Sequence, residues 1–330
     1  MRSNNAITDI PGIEVGQAQD EQALTGCTVI MCRKGAVGGV DVRGSAPGTR
    51  ETDLLNPVNL VEKVHAIVLA GGSAFGLDAA SGVMKYLAEQ KIGYGLGAQR
   101  VPIVPAAILF DLGLTKSAHH PDLEMGYTAA LAARSGPVAE GNVGAGTGAT
   151  VGKIFGMVGA MKSGLGTTSI HIGAGVLVGA IVAVNAFGDV LDPDTGRIIA
   201  GARPANIGPL KFGGAEPFAD TQEVMRTLAG RTILGVATRS NTVIATVATN
   251  ARFTKAQCTK IAQMAQDGLA RAIHPAHTML DGDTVFALAT GQVKADVSTV
   301  GAFAAQALAI AIARAVRAAR SAAGLPALGG

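Results

Sequence analysis

Tryptophan is absent from this chain, and aromatic side chains make up only 4% of it. A surface that stacks bases needs aromatic faces, so such a nucleic-acid platform is not expected. Charge is also scarce. Only 15% of residues are Asp, Glu, Lys or Arg, and they sum to +3 with no basic cluster, which argues against nucleic acid as a partner. There are three cysteines, Cys27, Cys32 and Cys258. Their number is odd and their spacing is not that of a zinc site, so a disulfide framework is not expected and a reducing, cytoplasmic setting is. No apolar stretch follows residues 1–5, so no secretory leader is read. The most hydrophobic segment, residues 300–316, is interrupted by Gln306 and Arg314. It reads as a buried Ala-rich helix rather than a bilayer span, and no membrane partner is expected.

What the chain does have is apolar bulk and glycine. Hydrophobic residues are 48% of 330, enough for a large core and for buried subunit interfaces. The 45 glycines are spread in short clusters, which signals tight turns and close backbone approaches rather than one low-complexity tract. Strands are expected over residues 26–32, 64–70, 173–184, 232–238, 242–250 and 284–290. The stretch 35–48, with Asp41 and Arg43, reads as a glycine-rich loop. Residues 101–111 carry two prolines and read as an edge strand or an extended loop. Helices are expected after the Gly71-Gly72 turn to about residue 89, from residue 121, over residues 254–273 with apolar positions at 3/4 spacing, and over 300–316. The Pro-, Gly- and Ala-rich stretch 197–230 is the best linker candidate.

The chemistry concentrates at Asn241-Thr242, a polar pair at the mouth of apolar strands. If the bond before Thr242 breaks, that residue gains an α-amine beside its own hydroxyl. Such an amine titrates at about 7.7–8.0 and can take the hydroxyl proton near neutral pH. Asn185 closes a buried strand, where an amide can donate to an oxyanion or cap a turn. Asp281-Gly282-Asp283 opens another strand, and residues two apart on an extended chain share a face. Two carboxylates there can share protons or position an amine and a hydroxyl, unless they are the solvated acids of a turn. Lys153 follows the glycine run 141–150. Lys162 precedes a second Gly-x-Gly stretch and is a candidate cation for the same pocket. Tyr127, one of three tyrosines, is by default core filling.

In order along the chain, residues 7–16, 71–76, 101–111, 141–148, 162–166, 184–189, 241–242 and 281–291 resemble peptidase family S58. These are self-processing N-terminal-nucleophile hydrolases that include L-aminopeptidase/D-esterases, β-aminopeptidases and nylon-oligomer (6-aminohexanoate-oligomer) endo-hydrolases. The resemblance implies an α+β fold, a four-layer αββα sandwich of N-terminal-nucleophile type. Residues 1–330 would form a single domain, self-cleaved into fragments 1–241 and 242–330. It further implies Thr242 as nucleophile, Asn241–Thr242 as the autocleavage bond, Asn185 as oxyanion donor and Tyr127 as an active-site tyrosine. Lys162 matches the family lysine, with Lys153 left open as the alternative. The aminopeptidase branch carries Ser-x-Glu where this chain has Asp281-Gly282-Asp283, and Asp-x-Asp with a Thr nucleophile resembles the nylon-oligomer branch. Implied, too, are a small amide or peptide substrate, chemistry without metal or organic cofactor, and a homo-oligomer, a tetramer of heterodimers. Two other classes stay open: an acyltransferase of the ornithine acetyltransferase type, and a non-catalytic interaction protein.

Overall fold

Among the described residues, nine strands hydrogen-bond into one continuous sheet that folds over on itself. They are β1 (Glu14–Asp20), β2 (Thr25–Val42), β3 (Thr49–Arg50), β4 (Lys63–Ala70), β5 (Ala106–Ile108), β6 (Leu165–His171), β7 (Leu177–Asn185), β8 (Thr242–Ala251) and β9 (Thr284–Val293). The computed structural model describes residues 3–97, 99–207, 210–214, 216–235 and 241–330. The order is β6-β7-β8-β9-β2-β4-β5-β3, with β1 alongside β2. The fold-over happens in the 18-residue β2. Its first half, Cys27 to Met31, lies between β1 and β4, its second half pairs with β9, and its register with β4 shifts between Met31 and Ala36. Two layers result, and β8 with β9 and β4 with β5 are the parallel neighbours.

Side-chain alternation along the strands defines the other layers. From β8, Val243, Ala245 and Val247 face α3 (Lys255–Ala272) and α4 (Val297–Ala318), whereas Ile244 and Ala248 face the second sheet layer. From β2 and β4, Cys27, Val29, Met31, Ala66 and Val68 face α1 (Ala79–Glu89) and α2 (Leu123–Leu131). Between the sheets, Ile30, Ile67 and Leu69 meet Ile181, Phe286 and Leu288. The architecture is therefore helix, sheet, sheet, helix, the four-layer α+β sandwich the sequence resemblance implies. Both faces of β8 are buried along all ten residues, which is why its Val, Ile and Ala fall on both faces rather than alternating with charged residues.

The two long helices start where their caps dictate. Thr254 accepts from Gln257 N while the Gln257 side chain accepts from Thr254 N, a reciprocal capping box. Asp296 accepts from Thr299 N at 2.7 Å. α4 is long and apolar enough to cross a membrane, yet it is a core helix, packed on α3 and on β6 and β7.

Four expectations change. The stretch 35–48 is not a loop up to Val42 but the second half of β2. Its glycines serve close packing, since a Cβ on Gly39 would stand 2.3 Å from Thr259 N on α3. Of residues 101–111, only Ala106–Ile108 joins the main sheet, as β5, and it lies between β4 and β3 rather than at an edge, while 102–105 and 109–111 lie outside any strand. Of the strand expected over 232–238, residues 232–235 belong instead to a helix (Leu228–Gly235), and residues 236–238 lie outside the described residues. The linker candidate is anchored. Asp189 accepts from Ala202 N, Thr221 N and Thr221 Oγ1 at 2.7, 2.6 and 2.9 Å, and Phe187, Phe212, Ala219 and Val224 share a small core.

Candidate active site

Three strand ends meet at one edge of the first sheet layer. β7 runs antiparallel to β8, so its last residue, Asn185, stands opposite the first residue of β8, Thr242. β9 runs parallel to β8 and begins at Thr284, so Asp281 and Asp283 arrive beside Asn241 and Val243. This topology brings five of the residues singled out in the sequence, Asn185, Asn241, Thr242, Asp281 and Asp283, to one place.

Thr242 is 4% exposed, and its Oγ1 donates to the carbonyl oxygen of Asn241, the residue before it. The same oxygen accepts from Gly282 N at 3.0 Å. Gly282 must be glycine here, because a Cβ would stand 2.8 Å from Thr242 Oγ1 and 2.5 Å from the Ala46 carbonyl oxygen. The turn is braced from behind. Ala46 N donates to Asp281 O at 2.9 Å, and Arg43 N and Gly44 N donate to Asp283 O at 3.0 and 3.2 Å.

Both carboxylates are buried, but their partners differ. Asp283 Oδ1 accepts from Val243 N at 2.8 Å, and Oδ2 accepts from His277 N at 3.1 Å and lies 2.8 Å from His277 Nδ1. Asp281 Oδ2 accepts from Thr278 N at 2.8 Å and from the Thr278 hydroxyl. Burial, and then repulsion by Asp283, hold the Asp281 carboxyl above the ordinary range.

Asn185 Oδ1 accepts from Lys153 Nζ at 2.7 Å and from Thr150 N and Oγ1 at 3.1 Å, and Nδ2 donates to Phe110 O at 3.0 Å. Donors on one side and a carbonyl on the other settle the orientation of the amide. Burial pushes the Lys153 ammonium down to about 7, against the pull of Asp281 and Asp111. Lys153 is thus the lysine brought to the strand ends. Lys162 is placed behind the glycine run instead, donating to Gly146 O, Ala149 O and Ser163 O at 3.3, 2.8 and 2.6 Å. Burial lowers it to about 7 as well, and its charge partner is Asp111 rather than Asp281 or Asp283. The expectation that Lys162 approaches those two carboxylates is corrected: a lysine side chain bonded to three loop carbonyls points away from them.

Asp111 is a residue the sequence reading did not single out. It accepts from Thr25 Oγ1 at 2.8 Å and Gly72 N at 2.6 Å, and burial raises its carboxyl to about 6. This explains the Gly71-Gly72 turn, since a Cβ at Gly71 would stand 2.0 Å from Asp111 Oδ2. Tyr127 is not brought to the site. It lies on α2 in the outer helix layer, edge-on to Tyr86, with its hydroxyl donating to Glu89 at 2.7 Å. Asp111 and His277 are the residues missed, whereas Lys153 had stood as the alternative to Lys162. The partners of Asp111, Thr25 and Gly72, come from distant segments, and nothing in the stretch 274–283 shows that His277 turns back onto Asp283. Among the described residues, no three His, Cys, Asp or Glu side chains form a group that could hold a metal.

The αββα sandwich, with these buried polar groups gathered at its strand ends, is the fold of the N-terminal-nucleophile hydrolases. The description of peptidase family S58 matches residues 5–327, and the chain belongs to that family. It is a peptide or amide hydrolase. An uncharacterized aminopeptidase of Mycobacterium leprae is 43% identical over 98% of this chain and 92% of its own length. A 6-aminohexanoate-oligomer endohydrolase of Kocuria sp. is 32% identical over 86% of this chain and 75% of its own. Among solved structures, a Burkholderia sp. beta-aminopeptidase superposes with a TM-score of 0.68 at 24% identity, covering 99% of this chain and 91% of that one. The L-aminopeptidase D-Ala-esterase/amidase of Ochrobactrum anthropi, described as a variant of the Ntn hydrolase fold, gives 0.66 at 18% identity over 96% and 86%.

Proposed function

We propose that the protein cuts itself between Asn241 and Thr242 and then uses Thr242 as an N-terminal nucleophile on linear amides. The observation that carries this reading is the Asn241 carbonyl oxygen, held at once by Thr242 Oγ1 and by Gly282 N–H. In maturation, Oγ1 bonds to the Asn241 carbonyl carbon and the C–N bond to Thr242 breaks. The hydroxyl proton passes to the departing amine, and water hydrolyses the ester to leave the Asn241 carboxylate. Gly282 N–H, with Asn185 opposite, is aimed at the oxygen that would carry the negative charge. In turnover the freed amine takes the Oγ1 proton as the hydroxyl attacks a substrate amide. Protonation of the leaving amine follows, and water releases the acyl group.

The substrate class we propose is linear ω-amino-acid oligomers such as 6-aminohexanoate oligomers, or related peptides. The Asp281-Gly282-Asp283 turn and the Kocuria relative support it. Removal of single N-terminal residues is the second reading, favoured by the name of the 43% identical relative. Intact mass measurement should find fragments 1–241 and 242–330 in the wild type and one inactive, full-length chain in Thr242→Ala. Fragments from that variant would sink the assignment. A product ladder from a 6-aminohexanoate oligomer, set against release from amino-acid p-nitroanilides, then separates the two substrate readings.

A further inference from the structure

The segment leaving α3 carries a histidine that the mechanism above does not use. His277 sits at a φ of 57°, and its side chain is 17% exposed against 2% for Asp283. Its backbone N–H and its Nδ1 both meet Asp283 Oδ2, while Oδ1 receives the N–H of Val243, the residue directly after Thr242. A carboxylate only accepts, so Nδ1 is the donor. Nε2 is buried and has no partner among the described residues, so it is not placed to exchange protons with Thr242. We propose that His277 is a positioning residue that acts through Asp283. Its Nδ1–H keeps the carboxylate turned so that Oδ1 receives Val243 N–H. The first residues of β8, Thr242 included, are thereby fixed against Gly282 N–H.

This inference rests on Thr242 being the nucleophile. Without the Nδ1 donor, Asp283 keeps two backbone N–H bonds but loses the side-chain contact that opposes rotation about its carboxylate. The start of β8 then drifts relative to the turn, and a misplacement of about 1 Å at reacting atoms costs on the order of 10²-fold in rate.

The test compares His277→Ala with His277→Asn in the full chain. Asn tolerates the left-handed backbone and can offer an amide N–H from near the Nδ1 position. Conversion of the precursor to fragments should slow about 10–100-fold in His277→Ala. The kcat of the matured enzyme should fall similarly, with KM held within about twofold. His277→Asn should recover most of both. A merely structural role would lower the melting temperature of both variants and leave matured enzyme with the wild-type kcat, which would overturn the inference. Equal slowing by Asn and Ala would overturn it as well. If His277→Ala does not fold, His277→Gln takes its place, since its amide reaches the Nε2 position rather than Nδ1. Slow Gln beside near-normal Asn supports the role, and equal rates reject it. An uncleaved wild-type chain, or fragments from Thr242→Ala, would instead remove the underlying reading and this inference with it.

Discussion

Two lysines follow glycine stretches in this chain, and their environments separate them. Lys153 contacts Asn185, which faces Thr242, whereas Lys162 serves three backbone carbonyls. Lys153→Met should therefore fold and yet mature and turn over on the order of 10²-fold more slowly, as expected for a positioned acid–base group. Lys162→Met should remove a bond from three buried carbonyls, two of which keep a backbone N–H, and lose ~2 kcal/mol in denaturant unfolding. Maturation equally slow in both variants would count against this division. Proton linkage makes a second prediction. Both lysines are lowered to about 7, so between pH 7 and the ordinary lysine range the folded chain binds fewer protons than the unfolded one. Stability therefore rises with pH through that window. Asp111 and Asp189 are raised to about 6 by burial, so the folded state binds more protons there, and their contribution falls as pH climbs from about 4 to 6. Above about 9 the three buried thiols, pushed up to about 12, act against the lysines. The melting temperature should thus increase between pH 7 and 8.5, and do so less steeply in Lys153→Met. Precursor cleavage should quicken through pH 7 as Lys153 loses its proton.

At the scale of elements, the short pieces between β7 and β8 are tied to the sandwich by the Asp189 carboxylate as well as by the Phe187–Phe212 cluster. Asp189 lies in a strand (Asp189–Leu191) directly beyond Asn185 and bonds to Ala202 and to the start of the helix Thr221–Arg226. The chain that leads to the proposed scissile bond is therefore anchored four residues beyond Asn185. Asp189→Ala should leave two backbone N–H groups and one hydroxyl unpaired, at a cost of ~2 kcal/mol or more. Limited proteolysis within residues 196–240 should accelerate, with cleavage elsewhere unchanged. A digestion pattern like that of the wild type would show that the Phe187–Phe212 cluster alone holds the segment.

For the molecule as a whole, the position of β8 decides what a cut before Thr242 can do. β8 lies between β7 and β9 with every residue buried, and its two faces contribute to different cores. Separating 242–330 from 1–241 would open both cores at once. The fragments should accordingly coelute in native size-exclusion chromatography and part only in denaturant. Separation in native buffer would contradict this arrangement. The proposed tetramer of heterodimers belongs to the same measurement, since light scattering on the eluting peak gives the assembly mass directly.

Much of this protein was legible in its sequence where the determinant is local. The helix over residues 254–273 was legible from its 3/4 spacing, β8 and β9 from their Val, Ile and Thr runs, and the polar pair at Asn241-Thr242 from its place at a strand mouth. Those signals arise within a few residues, from pleat, helical pitch and caps. The fold class and family followed from several motifs in a particular order. Other features depended on partners far along the chain. Residues 35–48 look like a loop because glycine is common in turns, and only the backbone of α3 pressing on Gly39 reveals a strand. Lys153 and Lys162 sit in similar local sequence, and the choice between them came from which carbonyl or amide the fold sets within reach. Tyr127 had no local cue to say that α2 belongs to the outer layer. Tertiary structure decided the site, because a hydrogen bond between Asp283 and Val243, forty residues apart, has no signature in either segment alone.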